Sequence, residues 1–343
     1  MVDIRQLRYF VAIADQQSMS LASEKLGVAQ PSLSHHVMRV EEELGVRLLV
    51  RSTRGVTLTD SGRRLYGHAR EILRSVEEAI ADVREQGADE LAGPVSFAFP
   101  SSVSNVLTVP LAETVRNEYP KLTLRAMDAM SGHVQAWLAD GAIDFGMLYD
   151  SNAARELTLR PLLVEPLYLI AARDCWRGEV TANGVALDTV SLRECAAMGL
   201  ILPHRAHGLR ETVERLAQAQ GVGLDVVLEM DSLSRIKTMV ARGSGYSILA
   251  HAAVHEELDR GELILVPIRE PSMRRTVYLA TNPLRPPRRA AQEVARLAEE
   301  IARELVRKGY WRGDLVAPAV APTEPHSCDA RRALAAKVRR AAE

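Results

Sequence analysis

The sequence predicts an N-terminal, all-α winged helix-turn-helix with a long following helix, and then a C-terminal α/β domain. Three observations predict this order. Amphipathic helical segments and a hairpin fill the first sixty residues, apolar residues then repeat at coiled-coil spacing, and from Gly93 short β-type runs alternate with helical ones. A chain of 343 residues has room for two or three domains.

The composition excludes membrane-spanning proteins and disulfide-rich secreted proteins. No run comes near the ~18 apolar residues that a membrane span needs, and the N-terminus lacks the layout of a signal peptide. Cys175, Cys195 and Cys328 form no CxxC pair, which disfavours a disulfide framework or a zinc site and fits a reducing cytosol. We therefore expect a cytoplasmic protein that contacts no membrane and carries no metal or other cofactor.

Charge is balanced over the whole chain but not locally. There are 43 basic and 44 acidic side chains, for a net charge of −1, yet phosphate is met by a local basic face. Between residues 47 and 74, only Asp60 and Glu71 oppose seven arginines: Arg47, Arg51, Arg54, Arg63, Arg64, Arg70 and Arg74. A solvated helix face explains this cluster as well as a phosphate-binding surface does.

The first 44 residues predict three helices. Each has an apolar stripe: Leu7, Phe10, Val11 and Ala14; then Leu21, Ala22 and Leu26; then Leu33, Val37, Val40 and Leu44. Gly27 suits a helix C-terminus and Pro31 suits the first turn of the next helix. The polar face of the third helix begins with Gln30, Ser32, His35, His36 and Arg39. This pattern describes a helix-turn-helix; a plain three-helix core is the alternative.

Residues 48–59 predict a β-hairpin, because two apolar runs flank a polar tip that contains glycine. An arginine at such a tip can enter a minor groove beside a helix in the major groove. Thr59 fits the N-cap of a long helix whose apolar residues form a coiled-coil seam: Leu65, Ala69, Ile72, Val76, Ala79 and Val83. We expect dimerisation through this seam; packing on the chain's own C-terminal domain is the alternative.

Beyond the polar, glycine-bearing break at 86–94, nine β-type runs alternate with helical runs. The strands are expected at 95–99, 122–126, 143–148, 167–171, 200–202, 226–230, 246–249, 263–268 and 277–280, and the helices at 103–117, 132–139, 208–219, 233–242 and 290–307. This alternation predicts a mostly parallel, doubly wound sheet, with ligands beyond the strand ends near helix N-termini. Ser101 and Ser102, and Ser131 and His133, lie at two such places.

Residues 1 to about 85 resemble the LysR-type transcriptional regulators without a gap. The matching motifs are Leu7-Arg8-Tyr9-Phe10-Val11-Ala12-Ile13-Ala14, Ala22-x-x-x-Leu26-x-Val28-x-Gln30-Pro31-x-Leu33-Ser34, Glu41-x-Glu43-Leu44-Gly45-Val46-x-Leu48-Leu49-x-Arg51 and Leu58-Thr59-x-x-Gly62. The resemblance implies that Met19–Met38 reads DNA and that Arg54 is the wing arginine. The DNA-binding surface is then assigned to Gln30, Pro31, Ser32, Ser34, His35, His36, Arg39, Arg51 and Arg54.

One departure from that family concerns the residue after Ser34. The family commonly has arginine there, whereas this sequence has His35, followed by His36. Histidine cannot make the two-pronged contact of arginine to guanine, so the base preference at this position need not follow the family. We expect DNA binding to strengthen as the pH falls toward 6, where histidine gains charge.

The resemblance continues more loosely to about residue 305. It is carried by Gly93-Pro94-Val95-Ser96, Tyr119-Pro120-x-Leu122, Gly141-x-Ile143-Asp144-Phe145 and Val240-x-x-Gly243-x-Gly245-Tyr246. It implies two α/β subdomains like those of a periplasmic solute-binding protein, with chain crossings near Leu163–Glu165 and Val266–Ile268. Segments 142–149 and 165–170 resemble the nitrogen-assimilation-control branch of the family.

The resemblance also implies a small-molecule effector in the cleft between these subdomains. The contacting residues would be Ser101, Ser102, Ser131 and His133 on one side, and Pro203, His204 and Arg205 on the other. Arg205 is the candidate charge partner of an anionic effector; a surface arginine on a loop is the alternative. The implied domains are 1–60 (winged helix-turn-helix), 61–92 (linker helix and hinge), 93–305 (effector domain, with subdomain I at 93–164 and 267–305 and subdomain II at 165–266) and 306–343 (a disordered extension).

Catalytic motifs do not account for this chain. GxxxxGK[ST], HExxH and GxSxG are absent, and Ser234-x-x-Lys237 lies on an ordinary core stripe. His251 and His255 are spaced for a metal but lack a third ligand. The expected function is a homo-oligomeric regulator, assembled as a dimer of dimers, that binds promoter DNA and an effector, with RNA polymerase as a further candidate partner. A small-molecule binding protein or α/β enzyme with an N-terminal oligomerisation helix is the alternative; it leaves Gln30–Ser34 without a purpose.

Overall fold

The computed structural model describes residues 2–52, 55–85, 90–149, 156–205 and 207–317. The chain divides into two compact units, Met1–Asp89 and Glu90–Glu343. The first unit is mostly helical and the second is α/β. Within the described ranges, no helix combines the length and apolar character that a membrane crossing requires.

Three helices form the core of the first unit: α1 (Ile4–Gln16), α2 (Met19–Leu26) and α3 (Gln30–Leu44). Asp3 begins α1 with a reciprocal cap, because its carboxylate accepts from the Gln6 N–H at 2.8 Å and its own N–H donates to Gln6 Oε1 at 2.9 Å. Gly27 ends α2 in the left-handed conformation at φ 63°, where a residue with a Cβ is strained. The predicted turn of the helix-turn-helix is therefore present at Gly27.

The apolar stripes predicted for these helices face the core, with two exceptions. Buried positions include Leu7, Phe10, Ala22, Leu33, Val37 and Val40. Leu21 and Leu44 were expected inward but are 51% and 44% exposed. Ala22 takes the inward position on the short α2, so Leu21, about 100° away around the helix, points outward. Leu44 is the last residue of α3, where the helix leaves the core.

The hairpin consists of the antiparallel strands β1 (Leu49–Ser52) and β2 (Gly55–Leu58). Glu41 of α3 holds its base, since Oε1 accepts from the N–H groups of Leu48 at 2.7 Å and Leu49 at 3.1 Å. Gly55 holds its other end, where φ is 125° and a Cβ would lie 2.6 Å from the Gln17 carbonyl oxygen. The hairpin is thus fixed against both α1 and α3.

The long helix α4 (Asp60–Glu85) follows the hairpin. Thr59 caps it, because Thr59 Oγ1 accepts from the Gly62 N–H at 2.9 Å. Ala69 is fully buried in the core of the first unit. Ile72 and Ile80 are 44% and 48% exposed. The beginning of α4 therefore packs on its own unit, and apolar side chains further along it face solvent.

The second unit contains eleven strands and seven helices in its described residues. In chain order they are β3 (Gly93–Phe99), α5 (Ser101–Glu118), β4 (Leu122–Asp128), α6 (Ser131–Ala139), β5 (Phe145–Tyr149), β6 (Thr158–Ala172), β7 (Val190–Ser191), α7 (Leu192–Ala196), β8 (Leu200–Leu202), α8 (Gly208–Ala219), β9 (Val226–Glu229), α9 (Leu233–Ala241), β10 (Ser247–Ala250), α10 (His251–Asp259), β11 (Leu263–Arg269), β12 (Arg274–Thr281), α11 (Arg289–Arg307) and β13 (Asp314–Leu315). The strand and helix alternation predicted from the sequence is present.

The main sheet is mixed, which corrects the expectation of a mostly parallel one. Within it, β3 pairs in parallel with β4 and β5, while β8 and β9 form a separate two-stranded parallel sheet. In contrast, β6 runs antiparallel to β10, β11, β12 and β13. The physical reason is that β6 carries the chain from one subdomain to the other, so it meets strands that run back toward the first.

Two crossings connect two subdomains, each with its own core. β6 pairs with β12 as far as Pro166 and with β10 and β11 from Leu167 onward, so the first crossing lies between these residues. The second lies at 270–273, between β11 and β12, a few residues after the predicted Val266–Ile268. We call the subdomain around β3–β5 and β12 subdomain I, and the part between the crossings subdomain II.

Residues 310–316, which we call the C-terminal strap, are part of this domain. The Trp311 side chain is fully buried, and β13 pairs with Val164 and Leu163 of β6. The expectation that a disordered extension begins at 306 is therefore wrong for residues 306–317. One buried aromatic residue and a two-residue strand leave no periodic pattern in a sequence. The rest of the predicted extension lies outside the described residues.

Candidate DNA-binding surface and effector cleft

The polar face of α3 is turned to solvent, opposite the side that packs in the core. Its exposed residues are Gln30, Pro31, Ser32, His35 and Arg39, and its half-buried ones are Ser34 and His36. Arg51 of β1 lies against this face and donates from Nη1 to Ser34 Oγ at 2.7 Å. Ser20 of α2 donates to Gln30 Oε1 at 3.4 Å. The predicted DNA-contacting residues in the described ranges thus form one surface; Arg54 lies outside those ranges.

The two adjacent histidines of α3 differ in accessibility. The His36 ring meets Tyr9 edge-on, with 5.0 Å between ring centroids, and His36 is half-buried. His35 is exposed. The position that departs from the family pattern is therefore the accessible one of the pair.

A cavity of about 70 Å³ lies between subdomains I and II, beyond the ends of β3 and β4. Its lining residues are Pro100, Ser101, Ser102, Ala129, Met130, Ser131, Tyr149, Pro203, His207, Leu209, Asp231, Leu233, Ile236, Leu249, Ala250, Ala253 and Arg275. The first turns of α5 and α6 contribute to this lining. Because the first N–H groups of a helix have no partner within the helix and carry partial positive charge, they favour a negatively charged group.

Four of the predicted effector residues line this cavity and three do not. Ser101, Ser102, Ser131 and Pro203 are among its walls. The other three have partners elsewhere: His133 stacks on Trp137 with 5.9 Å between centroids, His204 Nδ1 lies 2.6 Å from Asp231 Oδ1, and Arg205 Nε lies 3.5 Å from Glu214 Oε1. The Arg205 side chain is 79% exposed, as the surface-loop alternative expects.

Arg275 of β12 is the cation that lines the cavity. Its side chain is only 4% exposed, and its Cζ lies 3.5 Å from the centroid of the Tyr149 ring. Nε donates to Glu165 Oε1 at 2.6 Å and Nη2 donates to Ser102 Oγ at 3.3 Å. Ser102 Oγ and the Tyr149 hydroxyl are 2.5 Å apart. Sequence reasoning missed Arg275, although it alternates in phase with Val277, which the strand pattern places inward.

Glu165, which does not line the cavity, balances the charge of Arg275. The Glu165 side chain is 1% exposed, and its second oxygen, Oε2, accepts from the Trp311 indole N–H at 2.7 Å. A buried carboxylate with charged and neutral donors on both oxygens is well satisfied. The Arg275–Glu165 pair therefore places a positively charged guanidinium at the cavity wall, and the carboxylate beside it balances that charge.

His207 supplies a neutral polar group to the same cavity. Burial, followed by the nearby charge of Arg275, lowers the pKa of His207 to about 4. Its Nδ1 accepts from the Leu209 N–H at 3.1 Å, as the side-chain cap of α8. A neutral imidazole that accepts at Nδ1 carries its proton on Nε2, so His207 can donate one hydrogen bond at neutral pH.

The buried thiol does not provide a reactive group. Cys195 is fully buried, and burial raises the pKa of its thiol to about 12. The thiolate is the nucleophilic form of cysteine. Cys195 is therefore a core residue of subdomain II rather than a redox-active one.

A helix-turn-helix with an exposed polar face, followed by an α/β unit with a cavity between two subdomains, defines a DNA-binding regulator with a small-molecule-binding domain. Residues 4–63 match the family model for the bacterial regulatory helix-turn-helix protein, lysR family. Residues 88–303 match the model for the LysR substrate binding domain. The chain therefore belongs to the LysR family of transcriptional regulators.

Individual relatives agree with this assignment. The chain is 32% identical over 297 residues to the nitrogen assimilation regulatory protein nac of Klebsiella aerogenes, covering 85% of this chain and 94% of that protein. A full-length OxyR variant from Pseudomonas aeruginosa has a similar structure, with a TM-score of 0.63, 25% identity, and coverage of 88% and 95%. CbnR in complex with its target DNA shares the fold at a TM-score of 0.66, with 20% identity and coverage of 86% and 99%.

Proposed function

We propose that this LysR-family regulator reads promoter DNA with α3 and the β1–β2 hairpin, and that a small monoanionic effector in the cavity at Arg275 controls it. The observation that carries the proposal is the position of Arg275, a buried cation on the wall of a cavity between two subdomains. A ligand that touches both subdomains can favour one arrangement of them over another, and such coupling commonly amounts to about 1–3 kcal/mol.

The donors at the cavity wall favour an anionic ligand, and two nearby carboxylates limit that ligand to one negative charge. Glu165 already compensates Arg275, and Asp231 adds a carboxylate on the subdomain II side. A dianion would therefore lack a second cation, and a cation would face Arg275. A single carboxylate, in contrast, fits between the guanidinium, the Ser102 hydroxyl and the first turns of α5 and α6.

Size and polarity support a short apolar body. A cavity needs roughly 10–15 Å³ to hold one water molecule. A cavity of about 70 Å³ therefore suits a ligand of about five or six non-hydrogen atoms. Leu233, Ile236 and Leu249 line the cavity on the subdomain II side. Butyrate has this size and charge. At about 0.7 kcal/mol per atom, within the usual bounds for small ligands, its Kd would be on the order of 1 mM.

The DNA-binding form is proposed to be a dimer of dimers. The exposed Ile72 of the predicted seam supports pairing through α4, because an exposed apolar residue on such a seam gains by packing against a second helix. Its place of action is the cytoplasm, where promoter DNA and RNA polymerase are. We assign it no catalytic activity, since binding alone accounts for the residues that line the cavity.

The experiment for the effector site is a titration of the full-length chain with sodium butyrate, followed by the fluorescence of its three tryptophans, of which Trp137 lies on α6. A saturable change with a Kd on the order of 1 mM is expected. Arg275→Lys should weaken binding about tenfold, because lysine keeps the charge but loses the forked contact. Arg205→Lys is the matched control and should bind as the unsubstituted chain does. Equal affinity for butyrate and the neutral butyramide would contradict the anionic assignment.

A further inference from the structure

We propose that Trp311, in the C-terminal strap, is a positioning residue for the anion at Arg275. This proposal rests on the proposed effector site and concerns how that site is oriented. The indole does not line the cavity. It acts through Glu165, which bridges Trp311 and Arg275.

The two carboxylate oxygens of Glu165 bind different partners. Oε1 accepts from Arg275 Nε, and the Arg275 Nη2 nitrogen lies 2.6 Å from the same oxygen. Oε2 is 2.7 Å from the donating indole nitrogen of Trp311. The carboxylate thus engages the guanidinium through one oxygen only, which holds Arg275 over Tyr149 with part of its donor edge at the cavity wall.

If the Trp311 indole N–H is lost, Glu165 no longer binds Arg275 through one oxygen and Trp311 through the other. Oε2 would then be a buried acceptor without a donor, which is unfavourable. The nearest strong donor is Arg275, and arginine and carboxylate groups prefer a contact through two parallel hydrogen bonds. Glu165 would rotate toward that geometry and draw the guanidinium away from the cavity. The anion would lose a hydrogen-bond partner although no residue that touches it had changed.

The strap that carries Trp311 is held on both subdomains. Arg312 Nη2 donates to the Asn183 carbonyl of subdomain II at 3.4 Å, and β13 pairs with β6 in subdomain I. The Val316 N–H donates to the Leu162 carbonyl at 3.0 Å. Glu165 itself precedes the crossing at Pro166 and Leu167. Because binding linkage is reciprocal, an anion at Arg275 must also alter the contact that Trp311 makes.

The test uses the full-length chain, sodium butyrate as the probe, and two-dimensional ¹H–¹⁵N spectra of its three indole groups. Trp311→Phe keeps a buried aromatic ring and removes only the donor, and should weaken butyrate binding about tenfold. Trp176→Phe is the matched control. Trp176 does not line the cavity, and among the described residues its indole N–H has no hydrogen-bond partner, so butyrate affinity should not change.

The spectra of the unsubstituted chain give a second readout that does not depend on how the Trp311 variant folds. The Trp311 indole peak should move on titration with the same Kd as the tryptophan fluorescence, whereas the Trp176 peak should stay in place. A stationary Trp311 peak, or unchanged affinity in Trp311→Phe, would overturn the positioning role and leave the effector site intact. If the unsubstituted chain does not bind butyrate at all, the proposed effector class fails, and the positioning role fails with it.

Discussion

Removal of the Glu165 carboxylate should destabilise the effector domain strongly. In Glu165→Ala, Arg275 keeps its charge on a side chain that is 4% exposed and has lost a partner at 2.6 Å, and the Trp311 indole N–H loses its acceptor. Breaking one side of a buried ion pair costs about 3–5 kcal/mol. At about 2–4 °C per kcal/mol for a domain of this size, the melting temperature should fall by about 6–20 °C.

The assay is urea and thermal unfolding of the full-length chain, followed by circular dichroism. Glu300→Ala is the matched control, because Glu300 pairs with Arg296 on the surface of α11, where the two side chains are 47% and 42% exposed. Such a pair contributes under about 1 kcal/mol. The double variant Glu165→Leu with Arg275→Met should recover most of the loss, since apolar replacement of a buried pair is often neutral. A loss below about 1 kcal/mol in Glu165→Ala would refute the claim that Arg275 is buried and dependent on this carboxylate.

Three further predictions concern DNA binding, assembly and pH. Arg51→Ala should weaken binding to all DNA sequences and lower the salt slope by about one, whereas Gln30→Ala should relax base preference; fluorescence anisotropy at several salt concentrations measures both. Ile72→Glu should shift the chain toward monomers in light scattering, because it places charge on the predicted coiled-coil seam of α4, where Ile72 is exposed. Burial lowers the pKa of His207 to about 4 and that of His251 to about 3, so the unfolded chain binds protons near pH 6.5 and the folded chain does not. The free energy of unfolding should therefore fall as the pH drops from 6.5 to 4, by up to about 1.4 kcal/mol per pH unit for each histidine, and unfolding curves at pH 7, 5.5 and 4.5 check this.

The N-terminal unit could be predicted well because its signals are local. Gly27, the apolar stripe of α3 and the capping Thr59 each act on neighbours within a turn or two, so short sequence windows contain them. Leu21 was misplaced because two adjacent apolar residues on a short helix compete for one inward position. The order of strands and helices in the second unit was predictable for the same local reason.

The candidate effector cleft was only half predictable, because part of it depends on contacts between residues far apart in the sequence. Ser101, Ser102 and Ser131 follow strands directly, and that position alone indicates a ligand site at the sheet edge. Arg275 and Glu165 are 110 residues apart, so their pairing is invisible to any local pattern. Arg205 carries the positive charge expected of an anion-binding residue and follows β8, yet its side chain is 79% exposed to solvent. Trp311 was grouped with the extension because nothing near it in the sequence marks it as buried.

The central claim is that this chain regulates transcription by binding a specific promoter as paired dimers. The most direct test is a footprint of the full-length protein on the DNA upstream of its own gene, with and without butyrate. We predict protection of about five to six helical turns, roughly 50–60 base pairs at 10–10.5 per turn, with hypersensitive bands that mark a bend and change with butyrate. Absence of protection there and on unrelated DNA, even at about 50 mM salt, would contradict the account.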